Sequence, residues 1–429
     1  MVTMEKIISL CKRRGFIFPS SEIYGGLANS YDYGPLGVEL KNNIKKEWWK
    51  YFVQDREDIV GLDGGIILNP KVWEASGHVK NFKDALVECK KCHHRFRPDK
   101  LKNSSKCPDC GGKLTEPKTF SGMFKTVIGS VEKDGLIAYL RPETAQAIFV
   151  NFKNVVDSTN KKIPFGIGQI GKAFRNEITA GQFIFRTLEF EQMEIEYFIS
   201  PDADWKNIFD NWLDCIYGFA EKIGLSKNNF YNNEIKKDER AFYSKRTVDI
   251  EYKYAFGRGE LWAVAYRTDY DLSCHNLDYF DAQEKKKYIP HTIEPTFGVD
   301  RTLLAILTEA YVEEKLDNGE IRIVLKLKSN MAPYKVAVFP LLKNKAKLVG
   351  KAREVFNLLK QKFACEFDDN GNIGKRYRRQ DEIGTPYCIT VDFDSLERND
   401  VTVRDRDTMK QERIEINKLE NYLEDKLHV

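Results

Sequence analysis

Residues 174–196 read FRNEITAGQFIFRTLEFEQMEIE. Two runs of mixed apolar and charged residues flank residues 179–182, a polar segment typical of the tip of an antiparallel hairpin. The runs carry more charge than strands that only fill a core, and Arg175 and Glu177 are expected to point to one face. A guanidinium beside a carboxylate could bind a phosphate and an exocyclic amine together. A solvated hairpin laced with ion pairs would show the same pattern.

Bulk composition describes an ordinary globular chain. Its 429 residues suffice for two or three domains, and 42% are hydrophobic while 31% are charged. No apolar run approaches the roughly 20 residues needed to cross a bilayer, and the N-terminal segment lacks the pattern of a secretory signal. We therefore expect a cytoplasmic enzyme with no membrane partner. The net charge of +4 is too balanced to indicate nucleic-acid binding, so any RNA contact must come from local patches.

Four of the nine cysteines form two C-x-x-C pairs, separated by fourteen residues, within residues 87–115. Thiolates at this spacing can reach the corners of a tetrahedron about 2.3 Å from a zinc ion. The spacing predicts a structural zinc ribbon, since four sulfur ligands leave no open position for catalysis. A ribbon without metal, or four unrelated thiols, are the alternatives. The predicted ligands are Cys89, Cys92, Cys107 and Cys110.

Helices and strands are predicted on both sides of the hairpin. Residues 36–53 have the periodicity of an amphipathic helix, and a strand after them is expected to close at Pro70. Residues 136–156 read as a short strand and then a helix. Residues 292–307 read as a strand, a glycine and a helix, with Arg301 in the first helical turn pointing back toward the hairpin.

The C-terminal part, residues 331–429, alternates strand and helix. This pattern predicts a small α/β layer with a mixed or parallel sheet. Residues 375–379, KRYRR, are the one cluster there that looks suited to RNA, and a solvated charge run explains them equally well.

Together these segments resemble the class II aminoacyl-tRNA synthetases. Residues 36–70 are similar to motif 1, residues 174–196 to motif 2 and residues 292–307 to motif 3. KVWEASGHVKNF at 71–82 and RPETAQ at 141–146 resemble the glycyl-tRNA synthetases, and the resemblance spans roughly residues 5–425.

The resemblance implies an α+β fold. An antiparallel-sheet class II catalytic domain would occupy residues 1–330 and contain the zinc-ribbon insertion. A C-terminal α/β anticodon-binding domain would occupy residues 331–429.

The resemblance also implies an activity, which is ATP-dependent ligation of glycine to tRNA(Gly) through a glycyl-adenylate. The substrates would be ATP, glycine and tRNA(Gly), with Mg²⁺ and structural Zn²⁺ bound, in a homodimer formed through motif 1. Catalysis would rest on positioning and charge stabilisation, carried by Arg175, Arg301 and Glu260. The implied ATP-binding residues are Arg175, Asn176, Glu177, Phe185, Arg186, Glu189, Phe190, Glu260, Leu261, Gly298, Asp300 and Arg301.

Individual roles follow from the family. Arg175 would hold the α-phosphate and the attacking carboxylate, and Arg301 the γ-phosphate. Glu177 would bind the adenine amino group and Phe190 would stack on the ring. Arg186 would hold pyrophosphate, while Glu189 or Glu260 would help with magnesium.

Carboxylates around the amino-acid pocket suggest which substrate is chosen. They supply far more negative charge than one α-ammonium needs, so we infer a pocket with no space for a substrate side chain. Glycine fits such a pocket, and it has no smaller competitor that would require editing. The implied glycine-binding residues are Arg97, Glu143, Phe190, Glu191, Gln192, Glu194, Glu294 and Thr296.

Three positions depart from the family pattern. Ala147 stands where most members have glycine, Thr296 replaces a serine but keeps its hydroxyl, and Leu188 replaces a common arginine. The last departure, with the ITAGQF loop, puts tRNA acceptor-end contacts there in doubt. The rival interpretations are a prolyl- or threonyl-tRNA synthetase, and a non-catalytic RNA-binding descendant of the fold.

Overall fold

The computed structural model describes residues 2–96, 98, 101, 105–131, 133–177 and 181–427. Within them the helices are α1 Met4–Arg14, α2 Pro35–Trp49, α3 Pro70–Ala75, α4 His78–Asn81, α5 Ala145–Thr159, α6 Trp205–Lys222, α7 Tyr270–Cys274, α8 Val299–Ala310, α9 Ala346–Leu359, α10 Ile373–Ile383, α11 Phe393–Arg398 and α12 Leu419–Leu427. No helix among these described residues is long and apolar enough to cross a membrane.

The strands of the same described residues follow the chain from the N-terminal segment to the last sheet. They are β1 Ile17–Pro19, β2 Tyr31–Tyr33, β3 Ile59–Gly61, β4 Lys83–Glu88, β5 Arg95–Phe96, β6 Lys118–Ser121, β7 Lys125–Ile128, β8 Leu136–Tyr139, β9 Phe165–Phe174, β10 Glu189–Ile199, β11 Phe230–Glu234, β12 Arg246–Tyr254, β13 Gly257–Thr268, β14 Tyr279–Asp281, β15 Lys286–Tyr288, β16 His291–Gly298, β17 Tyr311–Lys315, β18 Ile321–Leu325, β19 Val336–Pro340, β20 Cys365–Phe367, β21 Tyr387–Val391, β22 Asp400–Asp405 and β23 Gln411–Glu415.

A large sheet organises the first three quarters of the chain, in the order β11-β12-β13-β16-β10-β9-β3. All of its described pairs are antiparallel except β3 with β9. Because side chains alternate along a strand, each strand sends one set to the core and the other to the opposite face. On the core side the ring of Phe297 lies 5.1–5.9 Å from those of Trp48, Phe52 and Phe219.

The hairpin of β9 and β10 is present, but its paired part is shorter than predicted. Pairing stops at Phe174 opposite Glu189, so Arg175 and Glu177 lie in the connecting loop. The prediction that these two residues share one strand face is therefore wrong. The loop takes its shape from contacts elsewhere, since the amide of Leu188 donates to the carbonyl of Asn29 over 2.9 Å. Residues 179 and 180 of the predicted tip, with residue 178 before them, fall outside the described residues.

The helix predicted for residues 36–53 is present and a strand follows it, but that strand, β3, ends at Gly61 and does not reach Pro70. Residues 36–53 are covered by α2 and a π-helical turn, Lys50–Gln54. Pro70 opens α3 instead, with the side chain of Asn69 accepting from the amide of Lys71 at 3.0 Å. Proline is favoured at a first helical position because that residue's amide has no intrahelical partner there.

The C-terminal sheet is mixed, as expected from the alternation of strand and helix. Its order is β20-β19-β21-β22-β23, parallel in the first three strands and antiparallel in the last three.

The basic cluster at 375–379 is not a free cationic surface. Arg376 is buried and donates to the carbonyls of Asp369 and Gly371 at 2.9 and 2.8 Å, while Arg379 donates to the carboxylate of Asp368. Both interpretations of this run, an RNA site and a solvated charge run, therefore fail at Arg376.

Candidate active site

A cavity lies between the hairpin loop, the end of β16 and the start of α8. Ten of the twelve predicted ATP-binding residues contribute to its wall. They are Arg175, Glu177, Phe185, Arg186, Phe190, Glu260, Leu261, Gly298, Asp300 and Arg301.

Arg301 is held at one side of this cavity by three kinds of contact. Its Nη1 lies 3.1 Å from Oε2 of Glu260 and donates to the Glu260 carbonyl at 3.0 Å. Its Nε donates to the carbonyl of Phe185, and the guanidinium stacks 4.4 Å from the Phe185 ring. The arginine is thus pre-oriented before any phosphate binds, which reduces the cost of ordering it.

Arg175 occupies the other side. Its Nε donates to the carbonyl of Pro142 at 3.0 Å, and its guanidinium lies 5.3 Å from the ring of Phe190 and 5.6 Å from that of Phe82. Arg175 also lines a second, adjoining cavity. One guanidinium therefore borders both spaces.

The adjoining cavity is acidic, and strand register explains why. Glu194 of β10 is directly opposite Thr296 of β16, which is opposite Ala263 of β13. Residues paired in this way point to the same face of the sheet. Ala263 and its neighbour Ala265 are small, so they leave open space over the sheet. The wall includes Glu143, Arg175, Gln192, Glu194, Glu294 and Thr296, so the expected convergence of Glu143 and Glu294 is observed.

Hydroxyl groups hold the Glu194 carboxylate. The hydroxyl of Thr144 donates to Oε2, and that of Thr296 donates to Oε1 at 3.1 Å. Gln192 accepts from the backbone amide of Thr144 at 3.2 Å. Thr296 thus uses the hydroxyl that it shares with the serine of the family pattern.

Arg267 is a central residue of this site that the sequence reasoning missed. Its buried guanidinium donates to both oxygens of Glu294, at 3.0 and 2.9 Å, and to both oxygens of Asp271, at 2.6 and 2.8 Å. It also stacks 3.9 Å from the ring of Tyr243. The available signal was an arginine at the end of the apolar run AVAYR, followed four residues later by an aspartate.

Ser76, His78 and Glu143 form a chain of polar contacts that was not predicted. Nδ1 of His78 lies 2.8 Å from the Ser76 hydroxyl, and Nε2 lies 3.2 Å from Oε1 of Glu143. All three residues are buried. Although burial alone raises the pKa of Glu143, His78, Arg267 and Arg175 hold that pKa well below its ordinary value. Glu143 is therefore an anion that faces the cavity.

Two predicted glutamates lie on the other face of β10. Odd-numbered residues of this strand point away from Glu194, so Glu191 pairs with Lys41 at 2.9 Å and with Lys45 at 3.1 Å. Glu191 therefore contributes to the wall of the first cavity and not to that of the acidic cavity, where it was predicted. Glu189 pairs with Lys172 and lines a different cavity, away from the two arginines.

The contacts of Asp300 and Asn176 complete the description of the predicted residues. The carboxylate of Asp300 accepts from the ammonium group of Lys41 at 2.9 Å and from the backbone amide of Glu191 at 2.8 Å. These contacts stabilise the wall of the first cavity, to which Asp300 contributes. Asn176 is in the hairpin loop, where its backbone amide donates to the carbonyl of Gly122. Arg97 lies outside the described residues.

The four cysteines of the two C-x-x-C pairs come together beside β4 and β5. Sγ of Cys89 is 3.5 Å from that of Cys110, and Sγ of Cys92 is 3.6 Å from that of Cys107. Zinc–sulfur bonds of about 2.3 Å require neighbouring sulfurs about 3.8 Å apart in a tetrahedron. The four Sγ atoms, all within 4.8 Å of one another, therefore fit a zinc ion.

Glu260 offers a position for a cation at the mouth of the first cavity. It is directly opposite Glu251 across β12 and β13. Like charges in this position repel each other. The ion pair with Arg301 offsets that repulsion at Glu260, and a divalent cation such as Mg²⁺ bound there would offset it further.

Comparison with known proteins extends these observations. Residues 130–310 match the family described as "tRNA synthetase class II core domain (G, H, P, S and T)", and residues 335–426 match "Anticodon binding domain". The glycine–tRNA ligase of Clostridium acetobutylicum is 53% identical over 99% of this chain and 99% of its own length. Those of Acetivibrio thermocellus and Thermobifida fusca are 53% and 52% identical over 99% of this chain and 98% of their lengths.

The matches confirm the expected fold class, a class II synthetase core followed by an anticodon-binding domain. These three relatives, each more than 50% identical across nearly the whole chain, are all glycine–tRNA ligases. The chain therefore belongs to the glycine–tRNA ligase family of class II aminoacyl-tRNA synthetases.

Proposed function

We propose that the protein ligates glycine to tRNA(Gly) and that the reaction passes through a glycyl-adenylate. The observation that carries the proposal is the shared border of the two cavities. A space flanked by Arg175 and Arg301 adjoins a space lined by carboxylates, and Arg175 borders both. This arrangement suits a nucleotide polyphosphate next to a small ammonium compound.

In the first step a carboxylate oxygen of glycine attacks the α-phosphorus of ATP. A new P–O bond forms, the bond to the β-phosphate oxygen breaks, and pyrophosphate leaves. No side chain has to exchange a proton, so catalysis consists of positioning the two anions and stabilising the charge that develops. Arg175 is assigned to the α-phosphate and the attacking carboxylate, and Arg301, braced by Glu260, to the γ-phosphate.

The remaining residues of the first cavity are assigned to the nucleotide. Phe190 would stack on the adenine ring, and Glu177 would accept from its amino group. Arg186, whose Nε lies 4.0 Å from Oε2 of Glu177, would hold the departing pyrophosphate. Leu261 and Gly298 complete the wall.

Two metal ions belong to the proposal. Glu260 would hold Mg²⁺, which when bound neutralises charge on the phosphates. Cys89, Cys92, Cys107 and Cys110 would hold a structural Zn²⁺.

Glycine selectivity is assigned to the acidic cavity. Glu143 as an anion, with Glu194 and Glu294, would bind the α-ammonium group. The crowded carboxylates and the methyl group of Thr296 would exclude a substrate side chain by steric clash. In the second step a hydroxyl of the terminal tRNA ribose attacks the activated carbonyl carbon, and AMP leaves.

Assembly and domain division complete the proposal. We divide the chain into a catalytic domain, residues 1–330, and an anticodon-binding domain, residues 331–429. Large apolar side chains of the motif 1 segment are exposed, namely Val38, Ile66 and Ile67. Their exposure supports a homodimer formed through this segment.

Amino-acid-dependent exchange of pyrophosphate into ATP tests the proposal. Glycine alone among the twenty amino acids should support exchange, and Arg175→Ala should abolish it. Arg246→Ala is the matched control, because this arginine pairs with Asp210 and Glu234 at the surface and should leave exchange intact. Exchange with proline or threonine would favour the rival synthetases, and no exchange with any amino acid would favour a non-catalytic descendant.

A further inference from the structure

Three carboxylates meet at the acidic cavity, two of which line it while the third does not. Glu194 and Glu196 are on the same face of β10, and Glu294 lies on the neighbouring strand β16. Their oxygen atoms lie within 4.8 Å of one another, and all three side chains are buried. Three anions this close in a buried site repel one another strongly, so their charge state has to be explained.

The hydrogen-bond donors around the three carboxylates are distributed unequally. Glu194 accepts from the hydroxyls of Thr144 and Thr296, and Glu294 accepts two N–H bonds from Arg267. The other bonds of Arg267 go to Asp271.

Glu196 differs from its two neighbours. It is 0% exposed, and among the described residues neither of its oxygens has a hydrogen-bond partner. A buried carboxylate that accepts nothing is far more stable with a proton than as an anion.

We propose that Glu196 is a neutral carboxylic acid at neutral pH and donates its O–H to the Glu194–Glu294 pair. The donated bond would fix the two carboxylates that face glycine. Glu196 does not line the cavity itself, so it acts as a positioning residue. This inference rests on the proposed function, because it assigns a role in holding the glycine-binding groups.

The charges that face Glu196 agree with this assignment. Burial raises its pKa well above the ordinary value, and Glu294, Glu194 and Asp271 raise it further, while Arg267 opposes them. A proton on Glu196 removes one of the like charges around Glu194 and Glu294, whose own pKa values are also raised by burial and by neighbouring carboxylates. The ammonium group of glycine then meets carboxyl groups held in fixed positions, together with the anionic Glu143 in the cavity wall.

Two variants of Glu196 distinguish the effect of its hydrogen-bond donor from the effect of its packing. Glu196→Gln keeps the shape and a donor, whereas Glu196→Met keeps the volume and has no donor. In pyrophosphate exchange, E196Q should keep the KM for glycine within about threefold of wild type, and E196M should raise it about tenfold or more. The KM for ATP should stay unchanged in both, because Glu196 does not line the cavity that Arg175 and Arg301 flank.

Glu143→Gln is the matched control, since it makes the same chemical change at a carboxylate that is an anion. It should raise the KM for glycine about tenfold or more. Infrared spectra in D₂O at neutral pH provide a direct readout. Wild type and E143Q should show a protonated carboxyl band that E196Q and E196M lack.

A rise in the KM for glycine in E196Q as large as that in E143Q would overturn the proposal. So would a wild-type spectrum without a band that depends on Glu196. If E196M does not fold, the comparison of E196Q with wild type still decides. If wild type shows no glycine-dependent exchange, the proposed function fails, while the infrared comparison still tests the protonation of Glu196.

Discussion

Replacement of Arg267 by methionine should be among the most damaging single changes in the central sheet. The guanidinium is fully buried and makes two N–H bonds to each of two carboxylates, Asp271 and Glu294, at 2.6–3.0 Å. Methionine fills a similar volume and has no donor, so both carboxylates would remain buried without a partner.

The size of the loss follows from the geometry. Two charges about 4 Å apart attract by about 4 kcal/mol at the effective dielectric constant of about 20 that describes protein sites. Measured losses on breaking one buried pair are about 3–5 kcal/mol. Because two carboxylates lose the same partner, we expect Arg267→Met to lower the unfolding free energy by about 5 kcal/mol.

The loss should depend on pH, with a definite sign. Burial raises the pKa of Glu294 well above its ordinary value while Arg267 opposes the shift, so removing Arg267 raises that pKa further. A glutamate with a raised folded-state pKa destabilises the fold once the unfolded state can ionise, that is, above pH about 4.3. Both proteins carry this penalty, so the extra deficit of the variant develops only above the folded-state pKa of Glu294 in wild type, and it is largest at alkaline pH and disappears at acid pH.

Native-state hydrogen exchange of amides in β13 and β16 measures this free energy directly, without assuming that the whole chain unfolds in one step. Arg246→Met is the matched control. Arg246 also pairs with two carboxylates, but Asp210 and Glu234 are more than half exposed, so the loss should be about 0–1 kcal/mol. Equal losses in the two variants, or a loss in Arg267→Met that is as large at acid as at alkaline pH, would refute the reasoning.

Four further results are expected. His78→Ala should raise the KM for glycine about tenfold without changing that for ATP, because Glu143 loses the contact that orients it; parallel changes in both KM values would contradict this. Thr296→Ser should leave glycine binding unchanged, whereas Thr296→Val should weaken it about tenfold, because the hydroxyl that Glu194 accepts from is lost. Elemental analysis should find about one zinc ion per chain, absent from Cys107→Ser; equal zinc in both proteins would exclude this site. Asp381→Asn should destabilise the C-terminal sheet by about 3–5 kcal/mol, since Arg322 and Arg404 share this buried carboxylate. Hydrogen exchange should show that loss in β21 and β22, and an unchanged β22 would contradict it.

The amino-acid sequence alone was sufficient for features that depend on neighbouring residues. The helix periodicity of residues 36–53, the C-x-x-C spacing and the strand–glycine–helix of residues 292–307 are local patterns, and the structure agrees with each of them. Alternation along β10 is also local, and it places Glu191 and Glu194 on opposite faces, a signal that the predicted set of glycine-binding residues did not use. The end of pairing in the hairpin is not local, because Asn29 from a distant loop holds Leu188.

Tertiary structure decided how the charged groups combine. Arg267 meets Glu294 only because β13 pairs with β16, with a shift of register between Tyr266 and Thr268 at Arg267 itself. His78 reaches Glu143 only because α4 packs beside the loop after β8. Arg376 belongs to a run that reads as exposed and basic, yet the turn at residues 369–371 encloses it. The physical reason is the same in each case. The energy of a charge depends on burial and on partners supplied by other segments, whereas helix and strand formation depends first on residues nearby in the chain.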